Sequence, residues 1–148
     1  MAEQPKQETT DTGPRPILPI FKLDPKPHLV GSKCEACGAV FLDVKRMACS
    51  KCGATVFQQI PLSTKGNVWV FSVIHQSFPG IKTPYITAIV DLPEGVSVKS
   101  TLVDVDPEEL QKNPKKAFGM AVELVGNVVA KDRQGHDVVA FQFRPSAN

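Results

Sequence analysis

Cys34-Glu35-Ala36-Cys37-Gly38 and Cys49-Ser50-Lys51-Cys52-Gly53 hold every cysteine of the chain, and eleven residues separate Cys37 from Cys49. Two C-x-x-C-G units at this distance are a metal site. Each pair lies on a tight turn that offers two sulfurs to one point, and four thiolates surround one ion tetrahedrally. The glycine after each second cysteine supplies the positive φ that such a turn demands. Structural zinc, catalytic zinc and rubredoxin-type iron all use such ligands. A catalytic zinc keeps an open position, whereas four thiolates fill the shell, so Cys34, Cys37, Cys49 and Cys52 read as a structural Zn2+ site. With every sulfur ionised the site carries about −2 net charge. Lys33, Lys45, Arg46 and Lys51 stand close by in sequence to moderate it.

The flanks of the knuckles are strand-like. His28–Lys33 leads into the first, Ala39–Leu42 returns between the two, and Thr55–Ile60 leads away. Strand, knuckle, strand, knuckle, strand is a zinc ribbon, and so small a unit replaces most of a core with its ion. Upstream, residues 1–27 read as a flexible Pro-rich segment. Residues 1 to about 15 lack apolar periodicity, and Pro14, Pro16, Pro19, Pro25 and Pro27 keep the rest of the segment extended and out of a helix. The patch Ile17-Leu18-Pro19-Ile20-Phe21 is too apolar for a free linker. It either covers the body of the chain or is held by a partner, and the sequence leaves both open.

From Ser63 the character changes. Val68–His75 is β-branched and aromatic with apolar residues in both alternation phases, which predicts a long strand covered on both sides. Tyr85–Leu92 alternates with Ile86, Ala88, Val90 and Leu92 on one face. In Val96–Val105 the apolar phase slips near Thr101, as at a bulge. Asp106-Pro107-Glu108-Glu109 starts a short helix, with an N-cap, a first-position proline and early acids. Met120–Lys131 and Asp137–Arg144 form a hairpin around Asp132-Arg133-Gln134-Gly135. Five strands with a helix between the third and fourth is the order of an OB-fold barrel. The expected fold is therefore mainly β. A rubredoxin-like zinc ribbon over 28–62 is followed by a five-stranded OB-fold barrel with one short helix over 63–146.

Taken together, the two halves resemble a known family, the small proteins that join a rubredoxin-like zinc ribbon to an OB-fold and accompany acyl-CoA enzymes, thiolases above all. The resemblance rests on the two knuckles, Gly66–Val73 with His75, and Pro84-Tyr85. It continues through Asp104–Leu110, Gly119–Glu123 and the closing Phe143-Arg144-Pro145. It implies a non-catalytic accessory subunit that forms a hetero-oligomer with a thiolase-fold, hydratase or lyase partner and helps to position a coenzyme A thioester. One departure stands out. Many members carry a helical hairpin before the ribbon, where this chain has Pro14–Pro27. That helix-free N-terminus is similar to the zinc-finger subunits of the benzoylsuccinyl-CoA thiolases of anaerobic toluene catabolism.

Candidate contacts for coenzyme A or for a partner's edge are Lys45, Arg46, Phe78, Lys82 and Tyr85, with Arg144 beside them. Basic groups would meet phosphates, and the aromatic loop Phe78–Tyr85 would meet an apolar arm. Each basic residue taken singly is also an ordinary solvated side chain. No carboxylate or second nucleophile stands at a recognisable spacing from His75, so no triad forms, and His75 reads as the end of a strand. Gly66 and Gly80 read as isolated turn glycines rather than a phosphate loop. Lys112, Lys115, Lys116, Lys131 and Arg133 read as a solvated face. The formal net charge of +2 gives little support to a nucleic-acid footprint. A single-stranded nucleic-acid module is nevertheless the alternative that an OB-fold brings. No apolar run spans a membrane, and the polar N-terminus is no export signal, so a cytoplasmic protein is expected.

Overall fold

A computed structural model describes residues 13–146. Numbered in chain order, β1 (Arg15–Pro16), β2 (Phe21–Lys22), β3 (His28–Cys34), β4 (Val40–Phe41) and β5 (Phe57–Pro61) precede the barrel. β3 is the spine of the ribbon. It pairs antiparallel with β2 at its start, with β4 at Ser32 and Lys33, and with β5 along Val30–Cys34. The chain crosses to the barrel over Leu62–Thr64.

The barrel is built from β6 (Lys65–Ile74), β7 (Tyr85–Asp91), β8 (Ser97–Leu102), β9 (Ala121–Lys131) and β10 (Asp137–Pro145). β6, β7 and β8 pair antiparallel in succession, and β8 meets β10 in parallel. β10 pairs antiparallel with β9, which returns to β6 at Lys65–Asn67. This is the closed five-strand order expected of an OB-fold. The helix α1 (Pro107–Lys112) lies between β8 and β9, and the Asp106 side chain accepts from the Glu108 amide as its N-cap. A 3-10 turn at Pro114–Lys116 comes next.

Ile86, Ala88, Val90 and Leu92 all point inward, as their alternation predicts. β6 differs from its prediction. Pairing shifts between Val68 and Val70, so Trp69 is one extra residue on that strand. The bulge moves the inward set from Gly66 and Val68 to Phe71 and Val73. That shift puts Val68 in one phase and Phe71 and Val73 in the other, while Val70 and Ile74 stay on the outward face. Trp69 itself is 59% exposed. The slip expected near Thr101 is also not a bulge. β8 runs in register to Leu102, then the chain leaves the strand and turns at Asp104, whose φ is 59°. Gly66 is not a turn glycine either. It lies in β6 where a Cβ would come within 2.6 Å of the Asp91 carbonyl oxygen, so only glycine lets the two strands approach.

Ribbon and barrel share one core, with Phe21, Leu29 and Leu62 continuous with Val68, Val122 and Phe143. The segment 13–27 holds no helix, as its prolines dictate, and runs as two short strands joined by a turn in which the Phe21 amide donates to the Leu18 carbonyl. β1 lies parallel to β10 at Val138 and Val139, and the Ile17 amide donates to the Val139 carbonyl at 2.8 Å. Phe21 is 0% exposed, edge-on to Phe141 at 5.7 Å and set over Gly126, where no side chain intervenes. The patch whose cover the sequence leaves open therefore divides. Phe21 enters the core, while Ile17 and Leu18 stay half exposed on the surface.

Asp132 closes the β9–β10 turn by accepting from the amides of Gln134 and His136 at 2.8 and 2.9 Å and from the His136 ring at 3.2 Å. Arg15 Nη1 reaches Asp132 at 3.5 Å and Gln134 at 3.1 Å, which ties β1 to the hairpin. The His136 amide holds the Asp132 carboxyl below its ordinary 3.8; burial opposes this, while the Gln134 amide and the His136 charge add to it. A lowered folded pKa contributes stability that is present above the unfolded value and is lost as pH falls through the folded one. Asp132→Asn should therefore lower the thermal midpoint at pH 7. The gap from wild type should close below about pH 4, where unfolded carboxyls protonate, and melting curves across pH read this directly.

Candidate metal centre and barrel clefts

The two knuckles fold alike because the same residues recur at the same places. Cys34 N donates to Ala39 O and Gly38 N to Cys34 O; in the second unit Cys49 N donates to Ala54 O and Gly53 N to Cys49 O. All four distances lie between 2.8 and 2.9 Å. Gly38 and Gly53 have φ of 76° and 78°, the left-handed turn that their position required. The four sulfurs lie within 4.8 Å of one another, with Cys34 to Cys52 and Cys37 to Cys49 each at 3.6 Å. Zn–S bonds of about 2.3 Å in a tetrahedron place sulfurs about 3.8 Å apart, so the donor set fits zinc.

Electrostatics point the same way. The Cys37 amide lowers the Cys34 thiol's pKa, helped by the Ala36 amide against the effect of burial. At Cys49 burial opposes ionisation, but the amides of Cys52 and Lys51 overcome it and bring the thiol to about 6. Cys52 is pushed up to about 12; the Ala54 amide favours its thiolate, but burial and the thiols of Cys34, Cys37 and Cys49 outweigh it. Amides prepare the first thiolates and mutual repulsion withholds the last, which only a cation at the centre would release.

Arg46 is used inside the ribbon. Its guanidinium carbon lies 3.7 Å from the Phe41 ring centroid, Nη1 meets Asp43 Oδ2 at 2.8 Å, and Nη2 reaches Ser50 Oγ at 3.4 Å. It thereby ties the inter-knuckle loop to the second knuckle. Lys45 is exposed on the same loop.

On the barrel, Lys82 and Tyr85 meet in a cleft of about 590 Å³ that Ile81, Thr101, Val129 and Gln142 complete. Tyr85 and Thr101 also line a second cleft of about 410 Å³, whose other wall includes Ile17, Leu18, Ile74 and Phe141. Phe78, in the loop that carries Lys82, is 79% exposed and lines neither cleft. Lys45 and Arg46 line neither cleft. Arg144 is ion-paired with Glu123 across the hairpin at 2.8 Å. His75 is exposed at the end of β6. The late basic residues are exposed, with Lys116 paired to Glu109 and Lys131 to Asp137. Sequence reasoning missed Ile17, Leu18 and Thr101 as cleft residues. The signal for Ile17 and Leu18 was the unexplained apolar patch before the ribbon, and Thr101 gave none.

No helix among the described residues is long and apolar enough to cross a membrane. Residues 21–58 match the family model of the ChsH2 rubredoxin-like zinc ribbon domain, and residues 59–127 match that of the ChsH2 C-terminal OB-fold domain. A DUF35 domain-containing scaffold protein of Methanocaldococcus jannaschii is 35% identical over 126 residues, covering 81% of this chain and 83% of that protein. Benzoylsuccinyl-CoA thiolase subunit BbsA of Geobacter metallireducens is 33% identical over 132 residues, covering 88% of this chain and 84% of the subunit. Among solved structures, the Ltp2-ChsH2(DUF35) aldolase is similar with a TM-score of 0.64 and 26% identity, covering 81% of this chain and 86% of that one. The chain belongs to the ChsH2-type DUF35 family, in which a zinc ribbon precedes an OB-fold.

Proposed function

We propose that the chain is a non-catalytic, zinc-bearing accessory subunit of a thiolase-type acyl-CoA enzyme complex. The observation that carries this reading is the commitment of all four cysteines to one closed site, beside a relationship to a thiolase subunit that covers nearly the whole chain. A thiolase needs a nucleophilic thiol, and here the partner would provide it. Held by Cys34, Cys37, Cys49 and Cys52, zinc would supply a fixed tetrahedral crosslink and no open position for chemistry.

This chain's own residues would form the edge of the partner's substrate entrance. Lys82 would attract the phosphates of the coenzyme A thioester while Tyr85 and Phe78 flank its apolar arm, and Lys45 on the ribbon would add a second positive point. The relationship to the benzoylsuccinyl-CoA thiolase subunit BbsA favours an aromatic acyl-CoA as the substrate, and the resemblance of the helix-free N-terminus to such subunits favours a place in anaerobic toluene degradation. An accessory role beside a hydratase or lyase uses the same surfaces. The reading is tested by co-expression with a thiolase-fold protein of the same genome, followed by thiolysis assays of each component and of the mixture. Full activity is expected only where both chains are present.

A further inference from the structure

The outward residues of β6, β7 and β8 form a surface that the core does not use. Val70 and Ile89 line a cleft of about 240 Å³ that shares Thr87 and Lys99 with the one holding Tyr85. That one in turn shares Tyr85 and Thr101 with the cleft at Lys82 and Val129. The three are therefore one trough across the sheet. Ile89 to Tyr85 alone spans about 13 Å at ~3.3 Å per strand residue. Ile17, Leu18, Ile81 and Val129, each close to half exposed, stand at its walls. Apolar residues gathered this way mark an interaction surface, whereas isolated ones do not.

We infer that this trough is the docking surface for the partner subunit, and that it receives an apolar segment of the thiolase-fold chain carrying at least one carboxylate. The inference rests on the accessory-subunit reading and names the face that would meet the partner. Charge sets the occupant's chemistry. Lys82 and Lys99 are the charged side chains lining the three clefts, and no carboxylate lines them. Lys99 sits at the middle of the trough, where a partner's acid would be partly desolvated and its pairing strengthened. Shape sets the occupant's size. The trough is open along its length, so by itself it cannot enclose most of a small ligand's surface as a ligand pocket does; coenzyme A would meet only its Lys82 end, and the middle at Lys99 is left to the partner. A segment of a larger surface that brings its own cover fits it better. The β1 segment has a defined part here. Held by Arg15 at the hairpin turn and by Phe21 in the core, it sets Ile17 and Leu18 as one wall.

The test uses the chain purified in complex with its thiolase-fold partner, and compares wild type with Lys99→Glu, Thr87→Arg and a control, Gln111→Arg on the exposed face of α1. Zinc content and circular dichroism should be unchanged, because residues 87 and 99 point away from the core. Lys99→Glu and Thr87→Arg should each weaken the complex by about tenfold or more, and the control should not. A complex that forms with wild type and equally with both trough variants overturns the docking site while leaving the accessory role intact. Failure of wild type to form any complex overturns the accessory role and the docking site with it. Binding of a labelled oligothymidylate by wild type, lost in Lys99→Glu, would assign the trough to single-stranded nucleic acid and overturn the proposal.

Discussion

Stripping the metal with a strong chelator, or replacing Cys49 by Ser, should unfold the ribbon and detach the chain from its partner. Apparent zinc-binding free energies in small zinc modules are ~10–16 kcal/mol, as large as the ~5–15 kcal/mol that stabilises a whole domain. The ribbon strands are short, β4 is only two residues long, and apart from the metal the loop from Cys37 to Cys49 is held by a few polar contacts around Asp43, Val44 and Arg46. Ribbon and barrel share Leu29 and Leu62 in one core, so the damage should reach the barrel as a lowered melting midpoint. Elemental analysis should find one zinc per chain in a colourless protein. A coloured iron-containing protein, or a chelated protein with an unchanged melting curve, would contradict the structural-zinc account.

Phe21→Ala should be the most damaging single change outside the metal site. Phe21 is fully buried, joins the N-terminal segment to Phe141 and Gly126, and lies where ribbon and barrel meet. Removing a buried phenyl ring costs ~3–5 kcal/mol when the surroundings cannot collapse, which for a chain of this size lowers the midpoint by about 10–15 °C. Phe21→Leu should lose much less, since it keeps most of the volume. Thermal melts of the two variants separate cavity formation from a general intolerance of change. Equal and small losses would mean that Phe21 does not anchor the segment.

How much the sequence could show depends on how local each signal is. The knuckles are local, since a C-x-x-C-G turn and its glycine fix their own geometry, and the four sulfurs converge as the spacing requires. The strand order is equally legible, because turn residues and alternation mark each strand separately. The two phase shifts mislead for one reason. Apolar residues in both phases of β6 are consistent with double-sided cover or with a bulge, and only the pairing with β7 shows that Trp69 is the extra residue. Near Thr101, a slip and the end of a strand look the same until Asp104 is seen to turn. The barrel trough is half legible. Tyr85 and Lys82 are visible from their loop, but Ile17 reaches the trough only because β1 lies against Val139, far away in sequence. The charge of Arg46 suggests an anion ligand; that it lies on Phe41 and Asp43 depends on how the inter-knuckle loop folds back.

The measurement that bears most directly on the central claim is thiolytic turnover of an aromatic acyl-CoA by the thiolase-fold partner, alone and with this chain in its zinc form. The account predicts no turnover by the chain alone, and a rise of at least about tenfold, or 1.4 kcal/mol of barrier, when the zinc-loaded chain joins the partner. Turnover by the isolated chain, or a partner equally active without it, would contradict the account.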